Sequence, residues 1–94
     1  MERCTVFVDG KSLVRYLLAL LYKFNIEKCG TVRVAARGRF ISKAVTSVLS
    51  LLNLLHHNYA VSHISIGTVV LRSSSAEKHV SKIEIVVANM ERVP

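Results

Sequence analysis

Two arginines separated by a glycine, Arg37-Gly38-Arg39, are followed by Lys43. A guanidinium group presents a planar fork of N–H donors that matches two phosphate oxygens, and an ammonium group adds a point charge. Placed where a strand gives way to a helix, the segment also gains free backbone N–H groups and the positive end of the helix dipole, both favourable to an anion. Gly38, without a side chain, lets the backbone come close to such an anion. Lys11 and Arg15 are four residues apart, share a face near the start of an expected helix and extend the same track. Arg72, Lys78 and Lys82 lie at or near a polar stretch and make a second, weaker group of cations. The competing reading for each of these residues is an ordinary solvated or carboxylate-paired charge.

Charge distribution favours the first reading for the arginines. Thirteen Lys and Arg against six Asp and Glu give a formal charge of +7, which draws an anionic partner such as nucleic acid or an acidic membrane surface. No acidic residue occurs between Glu27 and Glu77, whereas Arg33, Arg37, Arg39, Lys43 and Arg72 all fall there. Catalysis is not expected. Metal-dependent phosphodiester cleavage needs clustered carboxylates, and the six acids are scattered, with Asp9 the only Asp. His56, His57, His63 and His79 lack the spacing of a metal site, since adjacent helical residues point about 100° apart, so neither metal nor cofactor is expected.

Cys4 and Cys29 are too few for a disulfide scaffold and lack zinc-site spacing. Each precedes an expected strand, which brings a disulfide within reach, but free buried thiols in a reducing compartment are the expectation. The opening MERCTVFVDG has no signal-like apolar run, and Arg15, Lys23, Lys43 and Asn53 interrupt the leucine-rich segments before the roughly 20 residues of a membrane span. A cytoplasmic protein without membrane association is expected.

Positioning these residues requires six elements. Thr5 to Val8 reads as a buried strand ended by Asp9-Gly10. Leu13, Leu17, Leu20, Leu21 and Phe24 recur at helical spacing within a helix from about Lys11 to Asn25, capped by Asp9 or Ser12. Thr31 to Ala36 alternates as a second strand, and Ile41, Ala44, Val45, Val48, Leu52 and Leu55 form a second helical stripe. Val61 to Leu71 and Val80 to Ala88 read as two strands joined through a mobile polar tip, residues 72–79. The result is one domain over residues 1–94, an α/β two-layer sandwich of order β-α-β-α-β-β with a four-stranded mixed sheet and a long C-terminal hairpin arm. Phe7 and Phe24 fall at core positions and Phe40 at a junction, so no aromatic stacking platform is expected. Leu18, Leu49 and Leu54 fall off the main stripes. Leu49 and Leu54, with the adjoining Leu55, are read as a partner interface, against the alternative of scattered exposed leucines.

At Ala36-Arg37-Gly38-Arg39-Phe40-Ile41-Ser42-Lys43-Ala44-Val45 the chain resembles the Alba family of archaeal chromatin proteins, whose ARGRxISKAV segment is its most specific signature. Val6-Phe7-Val8 leading to Lys11, Tyr16 to Leu20, Ile64 to Thr68 and Ser81 to Ile85 extend the likeness over nearly the whole chain. The resemblance implies an architectural, nucleoid-associated protein acting as a dimer, its body against double-stranded DNA and its hairpin arms along adjacent minor grooves. The family often carries two lysines at the first strand-to-helix turn, one a proposed acetylation target. Here the stretch is Gly10-Lys11-Ser12, and Ala35 replaces a lysine common before the ARGR segment. These departures point to a divergent paralogue that pairs with itself or with a second Alba chain. The resemblance also implies the alternative of an RNA-binding protein or a ribonuclease P-like subunit, served by the same residues.

Overall fold

The computed structural model describes residues 3–92. Its elements are β1 (Thr5–Phe7), α1 (Leu13–Asn25), β2 (Thr31–Arg37), a 3₁₀ turn (Gly38–Phe40), α2 (Ile41–Leu54), β3 (Tyr59–Arg72) and β4 (Glu77–Asn89), with a last 3₁₀ turn over Met90–Arg92. The expected order and the mixed four-stranded sheet are present. The strands lie in the order β1-β2-β4-β3, with β1 parallel to β2 and the other pairs antiparallel.

Both helices pack on one face of this sheet and on each other. Strand side chains alternate between faces. Val6 and Val8, then Val32, Val34 and Ala36, then Ile83, Ile85 and Val87 therefore point toward the helices and are buried. From the helix side, Tyr16, Leu20 and Phe24 of α1 and Ala44, Val48 and Leu51 of α2 complete the core. Phe24 also meets Tyr59 with ring centroids 4.6 Å apart. Each large side chain so enclosed contributes roughly 1.5–3 kcal/mol relative to an exposed one.

Several local expectations change. β1 is not buried on both sides, because two helices cover only one face of the sheet. Phe7 turns away from the helices and is 65% exposed, so its expected core position is corrected. α1 begins at Leu13, leaving Lys11 in the preceding turn, and Ser12 occupies the cap position without a side-chain cap bond. Lys11 and Arg15 therefore do not share a helix face. The hairpin ladder runs to Arg72 opposite Glu77, which shortens the expected tip to residues 73–76. A disulfide joins Cys4 to Cys29, with Cα atoms 6.0 Å apart, in place of the free thiols expected. The parallel pairing explains it: Thr5 is opposite Arg33, so the segments entering the two strands arrive side by side.

The arm is a consequence of strand length. β2 ends with Arg37 opposite Lys82, while β3 and β4 continue without a third strand to Arg72 and Glu77. The molecule is accordingly elongated, 50 × 26 × 19 Å. No helix among the described residues is long and apolar enough to cross a membrane.

Candidate nucleic-acid interface

The turn between β1 and α1 is organised by Tyr16. Its hydroxyl donates to Asp9 Oδ1 and accepts from the backbone N–H groups of Asp9, at 2.8 Å, and Lys11, at 3.1 Å. Asp9 thus serves Tyr16 rather than capping α1. The Tyr16 hydroxyl, and after it the Lys11 ammonium, holds the Asp9 carboxyl below its ordinary pKa. Lys11 Nζ lies 3.1 Å from Asp9 Oδ2, so this expected phosphate contact is already paired in the free protein. From α2, Lys43 Nζ donates to the Lys11 carbonyl oxygen at 2.6 Å. The two lysines are brought together by that bond.

Arg37 ends β2 and Arg39 sits in the 3₁₀ turn before α2. Gly38 between them has φ +56°, and a Cβ there would lie 3.3 Å from Val80 Cγ1. Glycine is therefore required by the left-handed backbone and by the approach of the arm, a reason separate from contact with an anion. Neither α1 nor α2 has an acidic residue in its first turn, so both N-terminal dipoles remain uncompensated. The Arg39 guanidinium lies 5.0 Å from the centre of the Phe40 ring, which holds it over an apolar surface.

Two clefts flank Arg39. A smaller one of about 350 Å³ lies between the starts of α1 and α2, with Leu13, Arg39 and Lys43 on its walls. A larger one of about 670 Å³ runs between the body and the arm, and its lining includes Phe7, Arg37, Arg39, Phe40 and Lys78. Arg37, Arg39, Lys43 and Lys78 are thus gathered around one junction. Lys82 sits beside Arg37 at the base of the arm rather than near its tip. Arg72 is near the tip but pairs with Glu77 at 3.4 Å. Arg15 is exposed on α1 and lines neither cleft.

The described acids are engaged with other partners. Glu27 is paired with Arg3 and Lys23, Asp9 with Lys11, Arg33 with Glu84 and Arg72 with Glu77, while Glu91 accepts from Asn58. The stretch without acids between Glu27 and Glu77 is consequently not unpaired throughout in space, since Glu84 reaches Arg33 from the neighbouring strand. Arg37, Arg39, Lys78 and Lys82 have no ion-pair partner among the described residues. Among the same residues, no group of three or more His, Cys, Asp or Glu side chains is placed to hold a metal ion.

Residues missed at the sequence level are Asp9 and Tyr16, which position Lys11, and Phe7. Alternation along Thr5-Val6-Phe7-Val8 was the available signal for Phe7, because one layer of helices buries only every second residue.

Apolar surface is also left open beside the outermost strand. Ile64 and Ile66 pair with Ile85 and Ile83, hence lie on the helix-bearing face, yet no helix covers them and Ile66 is 80% exposed. Ile41 shares a cleft with Ile66, and Val45 and Leu49 continue its ridge along α2, with Leu49 52% exposed. Leu54 and Leu55 are exposed at the opposite end of α2.

No protein-family model matches the sequence. Individual relatives do. The chain is 38% identical over 85 residues to the DNA/RNA-binding protein Alba of Methanothrix thermoacetophila, covering 90% of this chain and 94% of that protein. It is 35% identical over 88 residues to DNA/RNA-binding protein Alba 1 of Archaeoglobus fulgidus, covering 94% and 98%. The structure of Alba from Thermoplasma volcanium superposes with a TM-score of 0.82 at 28% identity, covering 90% of this chain and 99% of that one. With near full-length similarity in both sequence and fold, and the Arg37-Gly38-Arg39 turn at the head of α2, the chain belongs to the Alba family.

Proposed function

We propose that this protein is an architectural, largely sequence-independent double-stranded DNA-binding protein that coats or compacts the chromosome as a dimer, without catalysis. The observation that carries the reading is the open junction of Arg37 and Arg39, which have no carboxylate partner among the described residues, Asp9 of the same cleft being paired with Lys11. Phosphates are the ligands such a junction fits. The arm, with Lys78 along it and Lys82 at its base, extends the contact away from the body toward a groove. Leu49 and the neighbouring Val45, Ile64 and Ile66 supply the surface on which a second chain, identical or an Alba paralogue, adds burial. The protein acts in the cytoplasm on nucleoid DNA.

The test is the salt dependence of duplex-DNA affinity. With about 6 to 10 phosphate contacts per dimer, affinity falls roughly 10³- to 10⁵-fold between 50 and 200 mM salt. The Arg37→Ala/Arg39→Ala variant gives a log–log slope shallower by about 1.8 per protomer, the increment for two phosphate contacts. An unchanged slope removes these arginines from the site. Competition between duplex DNA and structured RNA of equal length at fixed salt separates DNA binding from the RNA-binding or ribonucleoprotein alternative.

A further inference from the structure

Phe7 is a large aromatic side chain that folding leaves in water. Val6 and Val8 take the core side of the edge strand β1, so Phe7 projects from the helix-free face of the sheet, 65% exposed. It lines two clefts that share Arg37. One is the cleft of about 670 Å³ that also contains Arg39, Phe40 and Lys78. The other, of about 300 Å³, lies on the open sheet face and includes Lys82 and Glu84. The larger falls within the size range of sites for small organic ligands, roughly 300–1,000 Å³.

A paired duplex uses only half of this arrangement. Its phosphates satisfy Arg37 and Arg39, but its base faces are stacked on one another and cannot meet the Phe7 ring. An unpaired nucleotide offers both a phosphate and a free π-face. We propose that the cleft between body and arm takes one unpaired nucleotide, its base stacked on Phe7 and its phosphate held by Arg37 and Arg39. This deepens the nucleic-acid reading and rests on it. Asp9 on the wall of this cleft and Glu84 on the wall of the neighbouring one do not oppose the phosphate, because Asp9 is matched by Lys11 and Glu84 by Arg33. Phe40, beneath the Arg39 guanidinium, supplies a second apolar wall. The consequence is selectivity for bulges, loops and single-stranded ends over uninterrupted duplex, without a requirement for sequence.

The experiment compares three probes at one salt concentration: a fully paired duplex, the same duplex with one unpaired adenosine, and the same bulge made abasic. Base stacking on an aromatic side chain tightens binding roughly 5- to 150-fold, from which part is spent in unstacking the base. The bulged duplex should bind about fivefold or more tighter than the paired one, and the abasic bulge should lose that advantage. Phe7→Ala should abolish the preference, and Phe7→Tyr should retain it. Equal binding of paired and bulged probes, an abasic bulge as good as the adenosine, or a preference that survives Phe7→Ala overturns the proposal while leaving duplex binding intact. A change in sedimentation mass of free Phe7→Ala would assign the ring to a contact between chains and overturn it also. Binding of none of the three would instead overturn the broader nucleic-acid reading.

Discussion

The Lys11 ammonium lies 3.1 Å from the carboxylate of Asp9, two residues away, on a turn that Tyr16 holds in place from α1. A cation expected to meet phosphate therefore begins neutralised, and binding has to exchange one anion for another. Replacing Asp9 by Asn keeps an acceptor for Tyr16 but frees Lys11. Asp9→Asn should raise duplex-DNA affinity severalfold at low salt and steepen the log–log salt slope by up to about 0.9 per protomer, the increment for one phosphate contact. A titration series from 50 to 300 mM salt reads this directly.

The same carboxylate has a pH signature. Its pKa is depressed below the ordinary 3.8, first by the Tyr16 hydroxyl and then by Lys11. A group held down in the folded state stabilises it above the unfolded pKa, and that contribution is lost as pH falls through the folded value. Between pH 7 and pH 5 Asp9 should therefore add no slope to the stability curve, and its part of the loss should fall below about pH 4. Thermal melts of the wild type and Asp9→Asn across this range should converge at the acid end.

The Cys4–Cys29 bond ties the first strand to the second across a sequence separation of 25 residues. Closing a loop of that size restricts the unfolded chain by roughly 3–4 kcal/mol in the entropy model. The Cys4→Ser/Cys29→Ser variant should unfold at lower denaturant by about that amount, with a melting temperature lower by roughly 10–20 °C. Thiol titration of the unreduced, unfolded wild type should find no reactive thiol, and two after reduction.

On the arm, Arg72 and Lys78 should behave differently. Arg72 is paired with Glu77, whereas Lys78 has no ion-pair partner among the described residues and lines the cleft. Lys78→Ala should therefore flatten the salt slope by about 0.9 per protomer, and Arg72→Ala by clearly less. Equal effects would show that the Arg72–Glu77 pair opens on binding.

Leu49 lies on the ridge that continues toward the uncovered Ile64 and Ile66. A carboxylate placed there meets apolar surface in any assembled form but open water in a single chain. Leu49→Glu should sediment at the mass of one chain and retain its circular dichroism, with weakened DNA binding. Leu54→Glu, at the far end of α2, reports whether the interface reaches that end of the helix.

What the residues determined unaided is what depends on short-range periodicity. Val32, Val34 and Ala36 alternate, and Leu17, Leu20 and Phe24 recur at three and four, because strand and helix geometry impose those spacings on any chain that must bury one face. Arg37-Gly38-Arg39 was equally legible, since its chemistry and its place at a strand-to-helix junction are local. Tertiary structure decided the matters that hang on register and coverage. Whether Phe7 is core or surface depends on how many layers of helices cover the sheet, and there is one. Arg33 finds Glu84 only because β4 lies antiparallel to β2, 51 residues on in sequence. Cys4 meets Cys29 only because β1 and β2 pair in parallel. Lys11 leaves the helix because Tyr16 draws the turn onto its hydroxyl. Such contacts follow from chain segments arriving side by side, which residue spacing along one segment does not encode.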